Sequence, residues 1–294
     1  MQRSRRTGPD RSDRARRGVE ESQEWLKPAQ DAAIDIQQRT IDISARWRGQ
    51  EKNGRCDVFG PSPALGIPRT AAHRLLADLK ESGYVKQDPS TSQYALTIKL
   101  ASLGLSFFAA TGITDAAQPL LDDLAGVSAE LVRLAVVEGN QLIWVAKSQG
   151  SRSGLRYDPD AGLDVYLPAT ANGLAWLSAV SEERALELVA LQGMDRVREH
   201  GPGAPQSLRK LMDEVEKTRQ QGYAMVFDAY EAGTSAMAAP VRMGGQDDAI
   251  GTVSIAGPSV RFTKERMQAL IQPLQACAHA LAIASKGSPM FARR

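Results

Sequence analysis

The feature that most restricts the fold of this chain is the stretch Gly66–Tyr84, GIPRTAAHRLLADLKESGY. Ala72, Leu75, Leu76 and Leu79 recur at i, i+3, i+4 and i+7, which draws one apolar stripe along a helix. Pro68 suits a first helical turn, where its missing N–H would be unpaired in any case. Gly83 supplies the residue just past the helix end, and Lys80 the basic last turn. At 100° per residue, Thr70, His73 and Arg74 fall opposite the stripe, and Arg69 lies at the N-terminus. A short helix led in by a glycine turn, polar and basic on its free face, suits a major groove; an ordinary solvated helix has the same pattern.

The residues that follow separate the two readings. Tyr84-Val85-Lys86 predicts a short strand, Asp88-Pro89-Ser90-Thr91-Ser92 a turn, and Gln93–Ile98 a returning strand. Helix followed by a tight β-ribbon is the order of a winged helix-turn-helix. The segment GIPRTAAHRLLADLKESGYVKQDPSTSQYALTIKLASLG resembles the DNA-binding core of the IclR family of bacterial transcriptional regulators. Further along, GYA, YEAG, AAPV, VSIAGP and Arg261, three residues beyond Pro258, resemble the C-terminal signature of the same family. The resemblance extends over about residues 66–285.

With 294 residues the chain can build two cores. No run of 18 apolar residues occurs and no apolar core follows the basic N-terminus, so a cytoplasmic protein without a membrane span is expected. Cys56 and Cys277 lie far apart, and His73, His200 and His279 are scattered, which offers neither a disulfide framework nor metal-ligand spacing. No cofactor is expected. The net charge is +2, with the basic excess in residues 1–18, where seven arginines face two aspartates. Such a composition reads as a disordered basic tail that attracts phosphate without specificity, or as a solvated end of no specific role.

The expected organisation is α+β: tail 1–33, winged helix-turn-helix 34–99, linker helix 100–113, effector-binding domain 114–286. Ile34, Ile36, Ile41 and Ile43 suit a first helix. The run Cys56-Asp57-Val58-Phe59-Gly60-Pro61-Ser62-Pro63 departs from the family, because two prolines and a glycine oppose the supporting helix by several kcal/mol, roughly. Beyond the linker, strands are predicted at Leu131–Val137 and Leu142–Lys147, with a second pair at Arg152–Tyr157 and Leu163–Leu167. Helices follow from Thr170, at Glu182–Leu191 and at Ser207–Gln221, then strands at Tyr223–Phe227, Ser235–Val241 and Ile250–Ala256. Thr263 caps a last helix, Lys264–Ala284. The resemblance implies a GAF-like or profilin-like antiparallel sheet with helices packed on it; the pattern alone gives a mixed α+β class.

The family assigns the helix over 68–79 to base reading, which makes Arg69, Thr70, His73 and Arg74 the expected contacts, with Lys86, Ser90 and Thr91 of the wing near phosphate. For the effector, the resemblance selects Asn172, Gly173 and Leu174 at the start of a helix, and Thr234, Ala236 and Ser254 on strands. Free N–H groups at such a helix start attract a carboxylate. Val226 and Ala236 stand where one branch of the family has an aspartate and a cysteine, so a less polar pocket is expected, for an acid with an apolar body that Met237 also lines. The partners implied are a double-stranded operator, a small effector and a second copy, as a homodimer or a dimer of dimers. A sensor whose DNA-binding half has degraded is the alternative. No nucleophile motif or paired carboxylate spacing supports an enzyme.

Overall fold

Burying Ala72, Leu76 and Leu79 together organises the N-terminal part of the chain. All three lie on α1 (Arg69–Glu81), and Leu76 and Leu79 close over Val85 and Tyr94, with Tyr84 and Leu96 against them. Each fully buried leucine contributes about 1.5–3 kcal/mol, enough to hold a small core. The computed structural model describes residues 55–56, 68–159, 164–243 and 248–285. Two units emerge, Met1–Leu105 and Ser106–Arg294. The basic tail, the helix expected around Ile34–Ile43, residues 57–63 and the Gly244-Gly245 turn lie outside the described residues.

In the first unit β1 (Arg55–Cys56), β2 (Val85–Gln87) and β3 (Tyr94–Leu96) form an antiparallel sheet in the order β1-β3-β2. The helix ends where expected. Ser82 caps it, Gly83 takes φ +76°, and the chain reverses into β2. Thr97 locks the return by donating its hydroxyl to the Gly83 carbonyl at 2.6 Å. The ribbon is shorter than predicted because Ile98 already opens the next helix, α2 (Ile98–Thr111).

The second unit is built on a five-stranded antiparallel sheet, order β5-β4-β8-β7-β6, from β4 (Leu131–Glu138), β5 (Gln141–Gln149), β6 (Ala224–Phe227), β7 (Thr234–Arg242) and β8 (Ala249–Pro258). Both faces are covered. Val132, Leu134, Val136, Met237, Val253 and Ile255 pack with α3 (Ile113–Ser128) and α7 (Lys264–Ala284). The alternate residues, small ones such as Ala135, Ala236 and Ala238, face the other way. Onto them pack α4 (Ala171–Leu177), α5 (Glu182–Gln192) and α6 (Leu208–Gln221). Thr170, Ser181, Ser207 and Thr263 accept backbone N–H bonds as N-caps, which places the starts of α4 to α7 at the hydroxyl residues the sequence offers.

The second strand pair does not form. Residues 151–159 have neither helix nor strand, Asp164 alone among the described residues of this stretch bridges to Ile143, and Leu167–Ala169 makes a 3-10 turn. Side chains take the carbonyls that a ladder would have used: Gln149 donates to Tyr157 O at 3.0 Å, and Arg261 donates to Leu155 O at 2.5 Å. A second 3-10 turn at Asp195–Glu199, unannounced in the sequence, packs Val197 against Tyr166 and Ala204.

Candidate functional site

On α1 the stripe and the free face separate as the period requires. Thr70, His73 and Arg74 are exposed, Arg69 is the first helical residue, and no side chain caps the N-terminus above Pro68. In the wing Lys86 and Thr91 are exposed, whereas Tyr94 is buried. Ser90 donates both its N–H and its hydroxyl to Asp88 Oδ1, at 2.9 and 2.6 Å. It therefore shapes the turn more than it projects from it. A polar helix face above a short antiparallel ribbon can meet base edges and phosphates together.

The second candidate site is a small cavity of about 20 Å³ in the second unit, between the start of α4 and the sheet. Asn172, Thr234 and Ala236 line it, as does Val226. Gly173, Leu174 and Ser254 do not. Gly173 faces the 3-10 turn, so closely that an added Cβ would stand 2.2 Å from Leu167 O. Leu174 is buried in the apolar cluster beneath α4, and Ser254 is turned to the Arg133 carbonyl at 3.5 Å. Met237 points to the opposite side of the sheet, one pleat away from Ala236. The amides at the helix start are also less free than expected: the Gly173 N–H is taken by Thr170 Oγ1 at 3.0 Å. Asn172 donates to Thr252 Oγ1 at 2.8 Å and so fastens α4 to β8.

Three aromatic or charged side chains change the character of this cavity. Arg133, Tyr157 and Tyr230 line it beside Thr170, so Val226 and Ala236 do not leave it less polar. Burial pushes the Arg133 guanidinium below its ordinary value, with the Tyr157 and Tyr230 phenols opposing; burial likewise pushes the Tyr157 phenol up, with Arg133 opposing. Tyr230 is held by its own backbone, whose carbonyl meets His200 Nδ1 at 3.1 Å, and by a tilted ring contact with His200, centroids 4.8 Å apart. The His200 ring also stacks on Tyr166, centroids 4.7 Å apart.

The arginine of the C-terminal signature has a structural task at the edge of this site. Arg261 grips Glu130 through two bonds, Nε to Oε1 at 2.5 Å and Nη2 to Oε2 at 2.9 Å, and also reaches Ser151 Oγ at 3.3 Å. Glu130 is almost fully buried, and Gly257 leaves the room that its carboxylate fills. The segment that carries Tyr157 is thereby pinned at Ser151 and Leu155. Arg133 was legible in principle, as the one charge inside the apolar run Leu131–Val137. Tyr157 and Tyr230 had no such signal, since they come from irregular segments.

Comparison with known proteins agrees with this architecture. The family described as bacterial transcriptional regulator IclR C-terminal matches residues 106–283, and the IclR helix-turn-helix domain matches residues 62–89. The HTH-type transcriptional regulator KipR of Bacillus subtilis is 29% identical over 210 residues, which cover 71% of this chain and 82% of KipR. An IclR transcriptional regulator from Alicyclobacillus acidocaldarius has a similar fold, with a TM-score of 0.70 at 19% identity over 86% of this chain and 98% of that one. An IclR homolog from Microbacterium hydrocarbonoxydans, solved with 4-hydroxybenzoate, gives a TM-score of 0.65 at 19% identity, covering 85% and 98%.

Proposed function

The chain belongs to the IclR family of bacterial transcriptional regulators, and from that premise we propose that it is a cytoplasmic regulator of a catabolic operon whose operator affinity is set by a small organic acid. One observation carries the reading: a helix with an exposed polar and basic face stands on one unit, and a polar-lined cavity is buried in another. Arg69, Thr70, His73 and Arg74 are assigned to base edges and adjacent phosphates, Lys86 and Thr91 to the backbone, and Ser90 to holding the wing in shape. Asn172, Thr234 and Ala236 belong to the effector wall, while Gly173, Leu174 and Ser254 support it from behind.

An acid with an apolar body suits a wall that combines hydroxyl and amide groups with Val226, Ala236 and Ala256. The 4-hydroxybenzoate held by the Microbacterium homolog belongs to that class. Ile98, Leu103 and Leu105 are exposed along α2, which supports association of this helix with a second copy, as a homodimer or a dimer of dimers on paired half-sites. A chain that has lost DNA binding is not favoured, because the helix-turn-helix match covers α1 and its free face is intact.

The test is fluorescence anisotropy with the intergenic DNA next to the gene, titrated in the presence of random competitor of equal length. Saturable binding that resists the competitor, and that shifts 5- to 150-fold, roughly, when the effector is added, is expected. Equal affinity for the intergenic and the random DNA would refute the regulator reading.

A further inference from the structure

Strand β4 is buried along Leu131–Val136, yet its third residue is an arginine, 6% exposed. The pleat explains where it goes: Val132, Leu134 and Val136 face α3 and α7, so Arg133 faces α4 and the cavity. Its guanidinium carbon lies 3.9 Å from the centroid of the Trp144 ring and 5.9 Å from that of Tyr157. Among the described residues no carboxylate pairs with it, and its Nε has no acceptor. Trp144 Nε1, on the ring that the guanidinium covers, has none either. The Tyr157 side chain is a hydrogen-bond partner of the guanidinium besides the stacking, but a fold rarely tolerates a buried cation without an anion, since neutral partners repay only part of the desolvation.

We propose that Arg133 is the anchor for the anionic group of the effector, a small monocarboxylate whose oxygens bond to Arg133 Nε and to the phenols of Tyr157 and Tyr230. The proposal rests on the reading of this cavity as the effector site. It moves the carboxylate from the end of α4, where Thr170 already takes the Gly173 N–H, to the centre of the sheet. The apolar body then lies over Val226, Ala236 and Ala256. Arginine suits the position better than lysine, because a planar guanidinium can stack on Trp144 and still present an edge to a carboxylate. A cavity of about 20 Å³ has room for roughly one water, so admitting the acid displaces a wall. Residues 151–159, which carry Tyr157, have no strand or helix ladder to break.

Calorimetry on the full chain tests the assignment, with acetate, isobutyrate, benzoate and phenylacetate each set against its primary amide at fixed ionic strength. The native chain should bind at least one acid about tenfold tighter than its amide, and Arg133→Gln should lose roughly ten- to hundredfold for that acid while its amide is unaffected. Melting of the ligand-free Arg133→Met variant supplies a readout independent of ligand. An unpaired buried charge is removed, so the melting temperature should hold or rise; a fall would make Arg133 a structural stack and overturn the proposal. Binding of no acid by the native chain, acids and amides bound alike, or inorganic phosphate bound in place of every acid, would each overturn it too. An acid that shifts operator affinity equally in the native chain and in Arg133→Gln removes the anchor and leaves the regulator reading standing. An acid bound through Arg133 with no effect on operator DNA keeps the anchor and removes that reading.

Discussion

Replacing Arg261 by alanine isolates one buried charge and gives a stability effect whose size follows from the geometry. The change deletes two bonds to Glu130, one to the Leu155 carbonyl and one to the Ser151 hydroxyl. Leu155 is exposed, so water replaces that donor at little cost. Glu130 is different: its side chain is 6% exposed, and it is left as a carboxylate without a counter-ion. Breaking a buried pair from one side costs about 3–5 kcal/mol, and the 35% exposure of the Arg261 side chain places this case at the low end. About 3 kcal/mol in a unit of this size lowers the melting temperature by roughly 6–12 °C. Urea unfolding followed by tryptophan emission measures it, since Trp144 and Trp176 report the second unit. A loss below about 1 kcal/mol, as for a surface pair, would refute this reading.

Other expectations follow from single residues. Gly173→Ala should destabilise the second unit by about 1–3 kcal/mol or more, because its Cβ meets the Leu167 backbone; unchanged urea midpoints would contradict that close approach. Cys277 is buried, with its thiol pushed up to about 12 by burial, so iodoacetamide at pH 8 should leave it unlabelled until the chain unfolds. Its folded value is raised, so that share of stability is complete below about pH 9 and is lost as pH rises toward about 12, which alkaline denaturation followed by circular dichroism can read. Arg74→Ala should cost roughly 1–3 kcal/mol of operator binding if the side chain reads a base; a uniform loss on all DNA, with a salt slope lower by about one, would make it a phosphate contact.

The elements themselves were legible because local chemistry decides them. The 3.6 period of Ala72, Leu76 and Leu79 required α1, and the alternation in Leu131–Val137 required β4. Thr170, Ser207 and Thr263 marked helix starts, since a hydroxyl in the cap position answers an orphan N–H wherever the helix packs. Gly83 and Gly222 marked ends for a similar reason: φ values of +76° and +79° are cheap only without a Cβ. The exposed face of α1 followed from the same period, and with it the contrast between Arg74 outside and Leu76 inside.

What the sequence could not decide is which distant residues share a wall. Gly173 and Ser254 were plausible by motif, but the side on which each turns depends on how α4 sits on the sheet, and that is fixed by Asn172 bonding Thr252, 80 residues away. The strands predicted across 151–167 failed because Gln149 and Arg261 take their carbonyls, and no local propensity contains an arginine 106 residues downstream. Arg133 was visible as a charge in an apolar strand, though only tertiary structure shows it stacked on Trp144, without a carboxylate partner among the described residues and open to a cavity between Tyr157 and Tyr230. Periodicity and capping are short-range and write the helices and strands into the chain; the electrostatics of the site depend on contacts that exist only after those elements have closed on one another.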